Sequence, residues 1–253
     1  MKEFVQRFAD ISRSEIKFFV PQDQIQQIKA YARPYLELDH YARIRKDHRY
    51  VVHSLYYDTE DLDFYYEKMD GLKVRKKLRI RTYNEPERET FGFLEIKRRY
   101  VNNVFKERIR LPLSQIERIV EKPERRWLDY EESINGRLVL GKFLYNLNHR
   151  RLKPTILIRY TREAYLGVVD HRTRLTIDSC VGTSEYPRVQ DIFSGTGLLP
   201  LTGMEQILEL KFDNYMPKWM RNLVQEFNLR QRPISKYCMG VDACIRQPKP
   251  IEV

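Results

Sequence analysis

Charged and apolar residues alternate in short blocks along the chain, and each block reads as a β-strand with one face turned to a core. Glu15-Ile16-Lys17-Phe18-Phe19-Val20 is the first. Residues 51–57 form the next. Residues 72–83 and 91–100 read as a hairpin pair across the polar stretch Asn84-Glu85-Pro86-Glu87-Arg88, and 104–111 follows the turn pair Asn102-Asn103. Further blocks lie at 155–163, 164–170, 175–180 and 207–212. Helical periodicity fills the intervals. Residues 22–31 start after Pro21, 60–68 follow the capping residues Asp58 and Thr59, and 114–120 is short. Residues 125–148 read as two helices broken near Asn135-Gly136. Residues 217–227 place Trp219, Leu223 and Phe227 on one face, and 235–245 form a last helix. The Gly- and Pro-rich residues 183–203 read as a loop. No internal repeat and no domain boundary stands out. The pattern predicts one domain over residues 1–253, with eight or nine antiparallel strands in a sandwich or closed barrel and helices at its periphery.

Composition narrows the chemistry. Of 253 residues, 42% are hydrophobic and 12% aromatic, enough for a core and against wholesale disorder. No run approaches the ~18–20 apolar residues of a membrane span, and residues 1–10 lack the apolar stretch of a signal peptide, so a cytoplasmic protein is expected. Cys180, Cys238 and Cys244 form no CxxC and leave an odd count. A disulfide framework and a zinc cluster are both disfavoured, and the three read as small buried hydrophobes. The five histidines show no metal-ligand spacing, and no GxSxG or Cys/His pair signals nucleophilic catalysis. Phe193-Ser194-Gly195-Thr196-Gly197 lacks the Gly-Lys-Ser/Thr that a phosphate loop requires. Tyr56, Tyr57, Phe64, Tyr65 and Tyr66 read as packing of strand on helix rather than as a base-stacking platform. Charge is what changes the picture. Lys and Arg total 46 against 35 Asp and Glu, and a net +11 calls for nucleic acid, an anionic membrane or a small polyanion as partner.

Residues two apart share a strand face, and the charges follow that period. Glu15 falls with Lys17. Lys77, Arg79 and Arg81 line up opposite Leu78 and Ile80; Glu95, Lys97 and Arg99 opposite Leu94 and Ile96; Lys106, Arg108 and Arg110 opposite Phe105 and Ile109. Arg172, Arg174, Thr176 and Asp178 form a further line, and Glu209 and Lys211 lie opposite Leu208, Leu210 and Phe212. Arg159 stands alone in the apolar run 156–160. Such faces are either solvated or turned into a barrel. A barrel interior with so many cations is tolerable only with carboxylates among them and a polyanion to offset them. Glu15, Glu95 and Glu209 each precede a lysine by two residues. Mg²⁺ or Mn²⁺ takes carboxylate, phosphate oxygen and water. Arg suits bidentate phosphate contacts, and Lys supplies point charge. The pattern reads as a site for a linear polyphosphate with one or two metal ions.

Ordered short motifs carry a resemblance. Ser14-Glu15-Ile16-Lys17-Phe18-Phe19-Val20 is similar to the first strand of the triphosphate tunnel metalloenzymes of the CYTH-like superfamily. Ser54-Leu55-Tyr56-Tyr57-Asp58-Thr59, Lys77-Leu78-Arg79-Ile80-Arg81-Thr82-Tyr83, Phe93-Leu94-Glu95-Ile96-Lys97, Leu208-Glu209-Leu210-Lys211 and Ile234-Ser235-Lys236-Tyr237-Cys238-Met239-Gly240 follow in the same order. Together, over about residues 10–245, they resemble the VTC domain, the polyphosphate polymerase domain of the vacuolar transporter chaperone complex and its bacterial relatives. The resemblance implies an α+β fold, an antiparallel eight-stranded β-tunnel closed as a barrel, with a charged interior and peripheral helices.

It also implies ATP-dependent synthesis of polyphosphate with a divalent metal, Mn²⁺ or Mg²⁺, on ATP and polyphosphate or pyrophosphate as ligands. Lys17, Arg79, Arg81, Lys97, Lys106, Arg159, Arg174, Lys211 and Lys236 would hold phosphates. Glu209 would be the principal metal ligand, with Glu15 and Glu95 beside it. Arg79, Arg81, Lys236 and Glu209 would carry the catalysis. Arg13 stands where the wider superfamily has the first Glu of its Glu-x-Glu-x-Lys motif, which favours the polymerase branch over the two-metal hydrolases. The SPX domain and membrane region of the eukaryotic complex have no counterpart here, so any membrane partner would be another chain. A tripolyphosphatase or nucleoside triphosphatase on the same fold and a non-catalytic polyphosphate or nucleotide sensor are the alternatives. A nucleic-acid binder would instead show an exposed basic stripe and steep salt dependence.

Overall fold

The computed structural model describes residues 13–83, 90–101, 103–194 and 197–246. Residues 1–10, the stretch 84–88, Asn102 of the expected turn and the Gly195-Thr196 pair lie outside them. Ten strands are found among the described residues: β1 (Arg13–Pro21), β2 (Leu36–Leu38), β3 (Tyr50–Asp58), β4 (Val74–Tyr83), β5 (Phe91–Tyr100), β6 (Asn103–Pro112), β7 (Lys153–Gly167), β8 (Arg174–Glu185), β9 (Leu199–Pro200) and β10 (Glu205–Asp213). Helices α1 (Gln22–Ala32), α2 (Asp63–Met69), α3 (Leu113–Glu121), α4 (Ile134–His149), α5 (Lys218–Glu226) and α6 (Lys236–Val241) join them, besides one helical turn at His40–Arg43. The fold is α+β with an antiparallel sheet.

The chain forms two compact units. The first takes the described residues to Tyr50, with Tyr160–Val181 and Thr202–Ile234. Its strands run in the order β1-β10-β8-β7, and β2 pairs with β7. Phe18, Leu175, Ile177, Leu208 and Leu210 pack against Ile25 and Ile28 of α1 and Met220 and Leu223 of α5. The second unit takes Val51–Arg159, Gly182–Leu201 and the described residues from Ser235. Its strands run β7-β3-β4-β5-β6, with β9 on the end of β8. Leu55, Leu78, Ile80, Leu94, Ile96 and Ile109 pack with Ile116 and Ile119 of α3 and Leu140 and Phe143 of α4. In both units one parity of each strand packs on helices, α1 and α5 in the first and α3 and α4 in the second, and the charged parity is turned away from these four; α6 instead lies against the charged parity of the second unit, at Tyr56 and Lys77.

Four expectations change. The expected closure is not among the observed pairings: the path has two ends, β1 and β6, and among the described residues no pairing joins them. β7 is one strand of 15 residues where two were expected. Glu163, at the expected boundary, is satisfied in mid-strand by Lys29 at 2.6 Å and Arg49 at 2.8 Å. β8 continues past Cys180, whose φ of +50° marks a kink, into the expected loop, where Gly182 and Thr183 pair with β9. The helix expected from 125 is a 3₁₀ helix at Arg125–Tyr130 followed by α4, and Asn135-Gly136 lies inside the first turn of α4. Ser133 Oγ accepts the Gly136 N–H at 2.9 Å and starts that helix. Ser133→Ala is expected to lower stability by about 1 kcal/mol, read as a shift of the urea midpoint at unchanged slope.

Of the cysteines only Cys238 is buried; Cys244 is half-buried and Cys180 exposed. Among the described residues no helix is long and apolar enough to cross a membrane.

Candidate functional site

In the second unit, strand register stacks the charges into rows. Lys77 of β4 pairs with Lys97 of β5, which pairs with Lys106 of β6. The next row is Tyr56, Arg79, Glu95 and Arg108, and the one after it Ser54, Arg81, Phe93 and Arg110. Three lysines directly opposite one another repel. The row is held by contacts at its ends. Lys106 Nζ lies 2.6 Å from Glu95 Oε1. Lys77 Nζ donates to Ser235 Oγ at 2.8 Å and sits 5.0 Å from the centre of the Tyr237 ring.

Glu95 is the hub of the middle row. Its side chain is fully buried, and its Oε2 accepts from Arg79 Nε at 2.7 Å, with Arg81 Nε 3.9 Å away. Burial would raise its pKa, but Arg79, Arg81 and Lys106 outweigh that and hold the carboxyl well below the usual range. Arg79 Nη1 also donates to Tyr56 Oη at 2.9 Å, and Arg81 Nε to Ser54 Oγ at 3.0 Å. Burial raises the Tyr56 phenol, yet Arg79, Arg81 and Lys77 bring it down to about 7. The guanidiniums are thus fixed in place by these neighbours. Lys236 opens α6 directly after Ser235, whose Oγ caps Cys238 N at 3.3 Å. Tyr237 Oη donates to Asp58 Oδ2, and Asp58 also accepts the N–H groups of Phe64 at 2.9 Å and Tyr65 at 3.0 Å. Asp58 therefore ties the start of α2 to the helix that carries Lys236.

The first unit carries a balanced set. Glu15 pairs across the ladder with Lys211, and Lys17 with Glu209. The four side chains close a square of alternating charge: Lys17–Glu15 2.8 Å, Lys17–Glu209 3.8 Å, Lys211–Glu15 3.6 Å and Lys211–Glu209 2.5 Å. Glu209 is buried and the lysines are half-buried. Arg174 follows Lys211 in register on β8, and Thr176 follows Glu209. Asp178, fully buried, receives Arg162 in a bidentate pair, Nε to Oδ1 at 2.6 Å and Nη2 to Oδ2 at 2.8 Å. Burial would lower the Arg162 pKa, but Asp178 outweighs it and raises it well above the ordinary value.

The expected residues are therefore brought together in two sets, Glu15, Lys17, Arg174, Glu209 and Lys211 in one unit and Arg79, Arg81, Glu95, Lys97, Lys106 and Lys236 in the other. Arg159 shares its strand parity with Leu157, a core residue beneath the helices, whereas Arg162 has the opposite parity. Sequence reasoning passed over Arg162. The signal for it was the Tyr160-x-Arg162 alternation, hidden by the unbroken apolar run before it.

Among the described residues no three His, Cys, Asp or Glu side chains form a cage for a metal. Glu15 and Glu209 are bridged by the same two ammonium groups, which puts two carboxylates in one small cluster. That donor set fits Mg²⁺ or Mn²⁺, which is held by one or two carboxylates and completed by phosphate and water. Glu95, enclosed by three cations, is suited to an ion-pair hub.

An antiparallel sheet whose apolar parity packs on helices and whose other parity carries rows of Lys, Arg and Glu defines a charge-lined α+β sheet protein. The VTC domain model matches residues 12–245, and the chain belongs to the VTC domain family. No curated protein sequence matches. Among solved structures the chain is similar to a candidate adenylate cyclase from Bacillus halodurans, at 13% identity over 88% of this chain and 95% of that one, with a TM-score of 0.48. It is similar also to a candidate adenylyl cyclase from Hippeastrum with a dominant triphosphatase activity, at 17% identity over 91% and 96%, TM-score 0.47. A third is the Mimivirus capping enzyme triphosphatase, at 9% identity over 90% and 93%, TM-score 0.33.

Proposed function

We propose that the protein is a divalent-metal-dependent polyphosphate polymerase that transfers the γ-phosphoryl group of ATP to a growing polyphosphate chain. The observation that carries this reading is the lysine row Lys77, Lys97 and Lys106 beside the Arg79–Glu95–Arg81 cluster, on a chain that belongs to the VTC domain family. Three adjacent ammonium groups and two fixed guanidiniums suit a ligand with several phosphates in line. The closed tunnel of the resemblance is part of the reading.

Arg79 and Arg81 hold phosphate oxygens through their guanidinium N–H groups, oriented by Glu95, Tyr56 and Ser54. Lys97, Lys106 and Lys236 neutralise neighbouring phosphates. Lys17, Lys211 and Arg174 do the same in the first unit, with Arg162 rather than Arg159 on their face. Glu209 and Glu15 would hold the metal ion, which supplies charge neutralisation when bound. A terminal oxygen of the acceptor chain bonds to the γ-phosphorus, and the bond from that phosphorus to the β–γ bridging oxygen breaks, leaving ADP. The attacking oxygen is already ionised, so no side chain serves as nucleophile. Positioning and electrostatics carry the rate.

The ratio of ADP to orthophosphate tests this, with pure protein, ATP, Mn²⁺ and pyrophosphate as acceptor. Transfer to phosphate releases ADP with little orthophosphate; equal amounts would make the protein a triphosphatase. Arg79→Ala is expected to weaken tripolyphosphate binding by about 1.5–3 kcal/mol, the scale of a hydrogen bond to a charged group. Calorimetric titration measures it, and an unchanged Kd would remove Arg79 from the phosphate contacts.

A further inference from the structure

Lys106, Arg108 and Arg110 share one face of β6, and each leans across β5 in the same diagonal sense. Lys106 reaches Glu95 at 2.6 Å. Arg108 lies over the Phe93 ring, 4.7 Å from its centre, and Arg110 over the Phe91 ring at 3.9 Å. Only the first of the three therefore has a carboxylate beneath it. Arg108 and Arg110 are exposed, and among the described residues neither makes a salt bridge. The rings themselves are unusual on this face, where their strand neighbours are Glu95 and Lys97. Tyr83 extends the aromatic floor, meeting Phe93 edge to face at 5.8 Å.

A guanidinium lying on a ring is held in place without using its N–H donors. Each arginine thus keeps its fork for a ligand, at a spacing of about 7 Å along the strand. Among the described residues, the face passes along β6 from a carboxylate-balanced lysine at Lys106 to arginines set on rings at Arg108 and Arg110. We propose that Arg108 and Arg110 form a distal subsite for the inner phosphates of a long polyphosphate, beyond the few phosphates that the Arg79–Arg81–Lys106 cluster holds. This rests on the phosphate-binding reading of that cluster. A single-stranded nucleic acid would need bare aromatic faces for its bases, and here the faces of Phe91 and Phe93 are covered by guanidinium.

The test uses the full-length protein and the double variant Arg108→Gln/Arg110→Gln, titrated with tripolyphosphate, with a long-chain polyphosphate and with a single-stranded oligonucleotide. The wild type should bind the long chain more tightly than tripolyphosphate. The variant should lose about tenfold in affinity for the long chain, equivalent to ~1.4 kcal/mol, and change by less than about twofold for tripolyphosphate. The slope of log affinity against log salt should become shallower by about one for each arginine removed, for the long chain alone. Arg108→Lys/Arg110→Lys, which keeps the charge, should retain the salt slope. Equal losses for both phosphate ligands, or none, would overturn the subsite, as would tighter binding of the oligonucleotide than of polyphosphate. Failure of the wild type to bind tripolyphosphate would overturn the underlying phosphate-site reading instead.

Discussion

Replacing Glu95 with Gln is expected to cost about 3–5 kcal/mol of folding stability, because it removes the counter-charge of a buried cluster. Arg79 and Arg81 are both nearly enclosed, and Glu95, at 0% exposure, faces them and Lys106. The lost charge leaves two fixed guanidiniums and an ammonium repelling one another. The pH dependence gives the effect a signature. The folded-state pKa of Glu95 lies well below its unfolded value of about 4.3. Its contribution is thus full above about pH 4.3 and drains away as pH falls toward the folded pKa. Guanidinium melts should show the gap between wild type and Glu95→Gln closing below about pH 4. A gap that is absent, or that widens with acid, would mean that Glu95 is not the anchor of this cluster.

Glu209→Gln is expected to lower metal-dependent turnover by about 10²–10³-fold, the scale of removing one preorganised electrostatic group from a charge-stabilised transition state. The fold should survive. Lys17 and Lys211 each keep Glu15, at 2.8 Å and 3.6 Å, and the amide fills the same space. The Mn²⁺ concentration needed for half-maximal rate should rise in the variant, while its thermal midpoint stays near that of the wild type. Full activity at the wild-type metal requirement would remove Glu209 from the metal site.

The parts of this molecule that sequence made legible are those where alternation is strict. In β4, β5 and β10, Leu or Ile at every second position fixes the phase, so Arg79, Arg81, Glu95 and Glu209 could be assigned to one face before any coordinates. β7 shows the limit. Residues 156–158 are buried on both faces and the run carries no period, so Arg159 was assigned without a phase, and Arg162, marked only by Tyr160-x-Arg162, was passed over. The bidentate Arg162–Asp178 pair that settles its surroundings joins strands distant in sequence. β2 and β9 are short and owe their extension to partners on β7 and β8, a tertiary effect that local propensity does not carry. Ser133 was readable as a cap in principle, but Asn135-Gly136 two residues later is the stronger breaker signal, and the cap overrode it. Conversely, Asp58 and Thr59, recognised as caps, do bind the start of α2, Asp58 at Phe64 and Tyr65 and Thr59 at Asp63 N at 3.0 Å.

The central claim is that phosphate, not water, accepts the transferred group. Phosphorus NMR of pure protein with ATP and a divalent metal, with and without pyrophosphate, tests it directly; Mg²⁺ keeps the lines sharp, and Mn²⁺ is added to parallel samples quenched with chelator. The account predicts a growing signal from internal phosphates of a chain as ADP accumulates, faster with pyrophosphate present. Orthophosphate and ADP alone, with no internal-phosphate signal, would contradict it.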